Sequence, residues 1–344
     1  MHMADALIAP AVAGTMYLCS GGAMGYSIKK VRQSGEPEKI PVMGVMGAFV
    51  FATQMINFTI PGTGSSGHLC GGMLLSAILG PEAGFLTMIG VLLIQAFLFA
   101  DGGVLALGAN IWNMAFYGCF VGGGLIWKWM MKKGMSKKKI AVSSIVGCML
   151  TLQLGAFSVT LETLFSGVTQ LPFLVFLAAM QPIHLAIGLV EGLITAAVLV
   201  FLYEARPEML WGYGVKESGT GKLSQKKTIA VLALSALVIG GAFSLAASAY
   251  PDGLEWSMEK AAGTTELEAA GGIYDRAAGV QDAVALLPDY QFKGSESAAG
   301  TSVSGILGGV AVTAVCILGC YTLKLFGKRK TADMKSENGK EGHE

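Results

Sequence analysis

What constrains this chain most is where positive charge is missing. Residues 41–127 and 140–205 contain no lysine or arginine. The basic residues gather in four places: KKVRQSGEPEK (29–39), KWMMKKGMSKKK (128–139), the 204–227 segment ending KLSQKK, and LKLFGKRK near the C-terminus. Charged residues are only 14% of the chain, against about 25% in globular proteins. These lysine- and arginine-free stretches far exceed the ~20 apolar residues that a helix needs to cross a bilayer. The expected fold class is therefore an all-α polytopic membrane protein. Glycine, 48 of 344 residues, is about twice its usual ~7% share, which suits helices packed backbone to backbone.

Basic loops mark the cytoplasmic side, and two loops on one side are joined by an even number of crossings. The first gap, 87 residues, fits four spans and the second, 66 residues, fits two. A first helix (about 7–28) then places Met1 and His2 outside. Spans follow near 41–60, 64–81, 83–100, 103–127, 140–162 and 176–203, and two more follow 227. The expectation is nine spans, with the N-terminus outside and the C-terminus in the cytoplasm. GTGSSGHLCGG is a poor helix former, so 64–81 reads either as a span or as a broken, re-entrant element. No basic region precedes the first apolar run, which argues for a retained helix over a signal peptide. None of the six cysteines falls in the long outer segment, so no disulfide framework is expected.

The chain divides into 1–203, a charged and glycine-rich linker (204–227), a two-helix module (228–330) and a tail (331–344). The outer segment of that module, 251–304, carries nine acidic and three basic residues. It either draws cations toward the outer surface or is simply soluble. GVKESGTGKLS fails as a phosphate loop, because Lys216 stands where the first glycine belongs and Leu223 where Ser/Thr would bind magnesium. No H-E-x-x-H or comparable helix motif with a positioned base is present, which argues against an intramembrane metalloenzyme, and without a phosphate loop any ATP is used by another chain. Nothing suggests a nucleic-acid partner; lipid is its surrounding.

Histidine at position 2 is unusual. The free amine, the next amide and the imidazole of residue 2 can close two adjacent chelate rings on one ion. A further imidazole completes a planar four-nitrogen site, suited to Ni(II) or Cu(II). His2 also disfavours removal of Met1, which requires a small second residue. His68 is the first candidate for the fourth nitrogen and His184 its rival. Ser66, Asn110 and Asn113 are candidates for supporting the imidazoles or, for the amides, for interhelical hydrogen bonds. His184 and Glu191, seven apart and roughly 10 Å along a helix, are ionisable residues at membrane depth, where such groups are functional by default. A coupling role is expected, with a proton relay as the alternative.

MHMADAL, GAFVFATQMINFTIPGTGSSGHLCGG, FADGGVLALGANIWNM and QPIHLAIGLVEGLIT together resemble the substrate-binding component of cobalt/nickel energy-coupling factor transporters, the CbiM/NikM type. PDGLEWSMEK and LLPDYQF resemble the PDGLE-type accessory component of the same systems, fused behind it. The resemblance implies a seven-helix bundle that takes Ni²⁺ or Co²⁺ from outside the cell (inner) membrane. It implies Met1, His2 and His68 as ligands, and no cofactor beyond the transported ion. The implied partners are a transmembrane coupling subunit and cytoplasmic ATPase subunits. Cys70 departs from the family pattern, which has glycine there, and is either a soft fifth ligand or a small packing residue. The competing class is an ion-coupled secondary transporter built on His184 and Glu191.

Overall fold

The computed structural model describes residues 1–36, 39–214, 222–295 and 297–338. Most of the failed phosphate loop (215–221), Glu296 and the last six residues of the tail lie outside these. Among the described residues the chain is helical almost throughout, and two short strands form one hairpin. Helix α1 (Pro10–Ser34) begins on a proline, whose fixed φ and missing N–H suit a first helical position, and stops at Gly35 in the left-handed region. Helix α2 (Lys39–Gln54) leads to a hairpin of β1 (Phe58–Ile60) and β2 (Ser65–Gly67), paired with Phe58 opposite Gly67. Helix α3 (Gly72–Leu79) follows and breaks at Gly80 (φ 86°), and Pro81 starts α4 (Pro81–Leu98).

This resolves the open question at 64–81. The eight residues of α3 are about 12 Å long, too short for the ~30 Å hydrocarbon core, so the passage is part hairpin and loop, part helix. The loop is deeply buried within protein, the setting in which non-helical backbone is tolerated at membrane depth.

Helices α5 (Leu107–Asn110) and α6 (Lys128–Met131) are joined by a π-wound segment, Ile111–Trp127, into one continuous rod. Helices α7 (Lys137–Phe165) and α8 (Phe173–Ala205) form the longest packed pair of the bundle. They approach at Gly188 and Gly192, one turn apart, where an added Cβ would lie 2.8 Å from Met149 Cα and 2.6 Å from Ile145 Cα. This is the small-xxx-small solution to association where lipid is as apolar as leucine.

In the C-terminal module, α9 (Gln225–Gly241) and α12 (Ala298–Asn338) lie on α2. Between them α10 (Gly253–Ala262) and α11 (Gly272–Val284) reach over the end of the bundle that holds Met1. Among the described residues, four helical stretches are each long and apolar enough to cross a membrane alone: Pro81–Leu98, Lys137–Phe165, Phe173–Ala205 and Ala298–Gly319. The lysine-bearing loops cluster at the opposite end from Met1. There Trp211 donates to Ala77 O (2.8 Å), Trp127 Nε1 donates to Trp211 O (2.9 Å), and Lys137 pairs with Glu204.

Candidate metal centre

The segment before α1 does not trail into solvent. Met1 and Met3 are buried, and Asn110 holds residue 3 as a neighbouring strand would. The Met3 amide donates to Asn110 Oδ1 (2.8 Å), and Asn110 Nδ2 donates to Met3 O (3.1 Å). Gly103 N also donates to Met3 O, at 2.8 Å. Residues 1 and 2 are thereby directed into the bundle.

There the α-amine of Met1 lies 2.9 Å from His68 Nε2, and the His2 and His68 rings stack with centroids 5.3 Å apart. His68 Nδ1 is 2.9 Å from Leu69 O. A carbonyl only accepts, so Nδ1 carries the hydrogen and the lone pair of Nε2 faces the amine. Metal–imidazole bonds of about 2.0–2.1 Å place adjacent corners of a nitrogen square roughly 2.8–3.0 Å apart, the separation found between amine and Nε2. Among the described residues no three His, Cys, Asp or Glu side chains converge. A nitrogen site here therefore has to draw on the main chain and the terminus.

The loop carrying His68 is held from behind. Cys70 N and Gly71 N donate to the two oxygens of Glu191 (3.0 and 2.9 Å). Gln54 Nε2 donates to Cys70 O (2.8 Å), Gln95 Nε2 donates to Gln54 Oε1 (2.8 Å), and Gln95 Oε1 faces His2 Nε2 at 3.1 Å. One chain of amides thus joins the loop to the His2 ring and makes Nε2 the protonated nitrogen. His2 Nδ1 then points at Asp101 Oδ1, 3.2 Å away.

The C-terminal module closes the site. Ser66 N donates to Pro251 O (2.8 Å), Ser66 Oγ to Tyr250 O (2.7 Å), and Trp256 Nε1 to Thr63 O (3.0 Å). These bonds deliver Asp252, whose Oδ2 accepts from the Met1 amine at 2.6 Å while Oδ1 caps α10 at the Leu254 and Glu255 amides. A chamber of about 850 Å³ opens between module and bundle, with His2, Asp101, Asp252, Glu255, Glu266 and Asp289 on its walls.

Burial by itself lowers the Met1 amine's pKa, but the Asp252 carboxylate outweighs it, so the amine sits above its ordinary 8.0. Burial would raise Asp252, yet the amine and His68 hold it below the usual carboxylate range. Burial lowers His2 despite Asp101. The amine–Asp252 pair is therefore intact through neutral pH, and loosens only as pH rises through the amine's raised value or falls through Asp252's depressed one. A metal held by this amine and the His2 amide would displace a proton from each, so such binding would strengthen with pH. Asp252→Asn removes the counter-charge and should move the pH of half-saturation with nickel toward acid, measured by titration at several pH values; an unmoved midpoint would contradict the pairing.

Several expectations need correction. Among the described residues, Ser66, Asn110 and Asn113 hydrogen-bond to no imidazole. Ser66 fastens the accessory module and Asn110 the main chain of Met3, while Asn113 Nδ2 donates to Glu162 Oε2 (2.7 Å). Glu162 is buried, 5% exposed, and Asp101 faces His2. His184 bonds Met180 O (2.8 Å) while Glu191 bonds the 70–71 amides, so neither bonds the other. Sequence reasoning missed Asp252 and Gln95. The D-x-x-E spacing of Asp252 and Glu255 does carry a signal, the capping box, but it announces a helix start and not a partner for Met1.

The sequence and the fold have counterparts. The family described as "Cobalt uptake substrate-specific transmembrane region" (CbiM) matches residues 2–209, and the PDGLE domain matches residues 226–325. A chain of Archaeoglobus fulgidus named as a fused nickel transport protein NikMN is 35% identical over 92% of this chain and 96% of its own length. The cobalt transport protein CbiM of Geobacter sulfurreducens is 29% identical, covering 76% of this chain and 78% of its own. A crystal structure of a truncated transition metal transporter superposes with a TM-score of 0.53 at 32% identity, covering 59% of this chain and 99% of that one. The buried N-terminus and the module that seals it are thus parts of one polypeptide, which belongs to the CbiM family and carries a PDGLE domain behind its CbiM region.

Proposed function

We propose that the chain is the substrate-specific membrane subunit of an ATP-driven importer of a divalent transition metal, Ni²⁺ in preference to Co²⁺. The Met1 amine, the main-chain nitrogen and imidazole of His2, and His68 Nε2 hold the ion. The observation that carries this reading is the 2.9 Å approach of the amine to His68 Nε2 beside the stacked His2 ring. Four nitrogens in a plane suit Ni(II), and the relatives' names include both nickel and cobalt transport. Met1 faces outside and the lysine-bearing end faces the cytoplasm of a prokaryotic cell, following the positive-inside rule. A transmembrane coupling subunit and cytoplasmic ATPase subunits supply the energy.

Capture begins in the acidic chamber, where carboxylates concentrate cations. Binding releases two protons to the water of the chamber, one from the Met1 amine and one from the His2 amide, and frees Asp252 to offset the incoming charge. The test is uptake of labelled nickel in membrane vesicles containing this chain with and without ATPase partners. Uptake should require those partners and ATP. Transport that survives ATP depletion but stops when the proton gradient collapses would assign the chain to ion-coupled carriers instead.

A further inference from the structure

Beside the nitrogen set lies one buried polar atom that the protein leaves without a partner. His184 on α8 is 1% exposed, and its Nδ1 lies 2.8 Å from Met180 O. The carbonyl can only accept, so Nδ1 carries the hydrogen and Nε2 keeps its lone pair. That Nε2 is buried and accepts nothing, an exception that calls for a group the side chains do not supply.

The ring borders a void of about 10 Å³ whose wall also includes Met1, His68, Cys70 and Asp252, close to the smallest volume that admits one water. The accessory module completes this wall at Gly253. A Cβ there would lie 3.0 Å from His184 Cε1, 3.2 Å from Nε2 and 2.7 Å from Ile187 Cδ1. Any other residue at 253 would press on the imidazole, so the module meets His184 only because that position has no side chain.

We propose that His184 is a fifth contact for the captured cation, reaching it through one water that occupies this void and lies on one face of the four nitrogens. The proposal rests on the terminal-amine reading of the site. The water coordinates the metal through oxygen and donates one hydrogen to His184 Nε2, and the Asp252 carboxylate is placed to accept the other. His184 thereby acts as a positioning residue for a metal-bound water and not as a member of the nitrogen plane. No bond to the protein is made or broken, and no electron moves.

Full-length protein loaded with Cu(II), a probe for planar nitrogen sites, tests this directly. An axial oxygen weakens the planar field, so the visible d–d band of His184→Phe should move to shorter wavelength than that of the unaltered protein. In the unaltered protein, double-resonance spectroscopy should find an axial proton coupling that vanishes in D₂O, a measurement that needs no variant. A band unmoved in His184→Phe, or no exchangeable axial proton in the unaltered protein, overturns the proposal. A shift in Cys70→Ala with none in His184→Phe overturns it too, in favour of a sulfur ligand. Protein extended by two residues before Met1 separates the two readings. If it binds copper like the unaltered protein, the terminal-amine site is what fails.

Discussion

Two residues added ahead of Met1 should cost more than ~100-fold in nickel affinity, whereas the same addition after Glu344 should cost nothing. The extension converts the α-amine into an amide and removes its basic lone pair. It also abolishes the 2.6 Å contact to Asp252, and it has nowhere to go, since Met1 is 4% exposed. Loss of a supporting residue around a metal typically costs about 10–100-fold, and loss of a donor with its chelate ring exceeds that. Elemental analysis after purification, followed by titration, reads the effect. Equal loading of about one nickel per chain in both proteins would rule out the terminal amine as a ligand.

The second large effect comes from a residue that touches no donor atom. Glu191→Ala should lower metal affinity by about 10–100-fold, as for other supporting residues, although His2 and His68 are intact. Glu191 is 1% exposed and accepts both the Cys70 and Gly71 amides. Alanine leaves two buried N–H groups unpaired, at roughly 1–3 kcal/mol each. Gly71, with φ 81°, holds the turn that follows His68, so the strain falls on the ligand loop. Thermal unfolding and nickel titration on the same preparation would show both losses. Full nickel affinity in a destabilised Glu191→Ala protein would mean that the clamp serves the fold alone.

Much of the bundle was readable because its cause is local. Helices appear around the expected spans at 7–28, 140–162 and 176–203, since apolar runs between lysine clusters satisfy their backbone only as helices. The hairpin was half legible: GTGSSG announced a non-helical element without saying which kind. His2 and His68 stood out because histidine is rare here and each has an unusual setting. Asp252 did not stand out. It was one of nine acids in the outer segment, and a contact 251 residues away in sequence leaves no trace in its neighbours. Asn110 and Asn113 were read two ways because a buried amide bonds equally well to an imidazole, a peptide or a carboxylate; Asn113 makes the interhelical bond, to Glu162.

The long separation of Met1 from Asp252 also sets an order in time. At about 5–20 residues per second, the ribosome adds Asp252 roughly 12–50 s after Met1, while His68, 67 residues away, follows within roughly 3–13 s. A nascent chain thus has its histidines available well before the carboxylate that neutralises the terminal ammonium. The sealed site is the last stage of synthesis, reached only when the accessory helices have joined those made first.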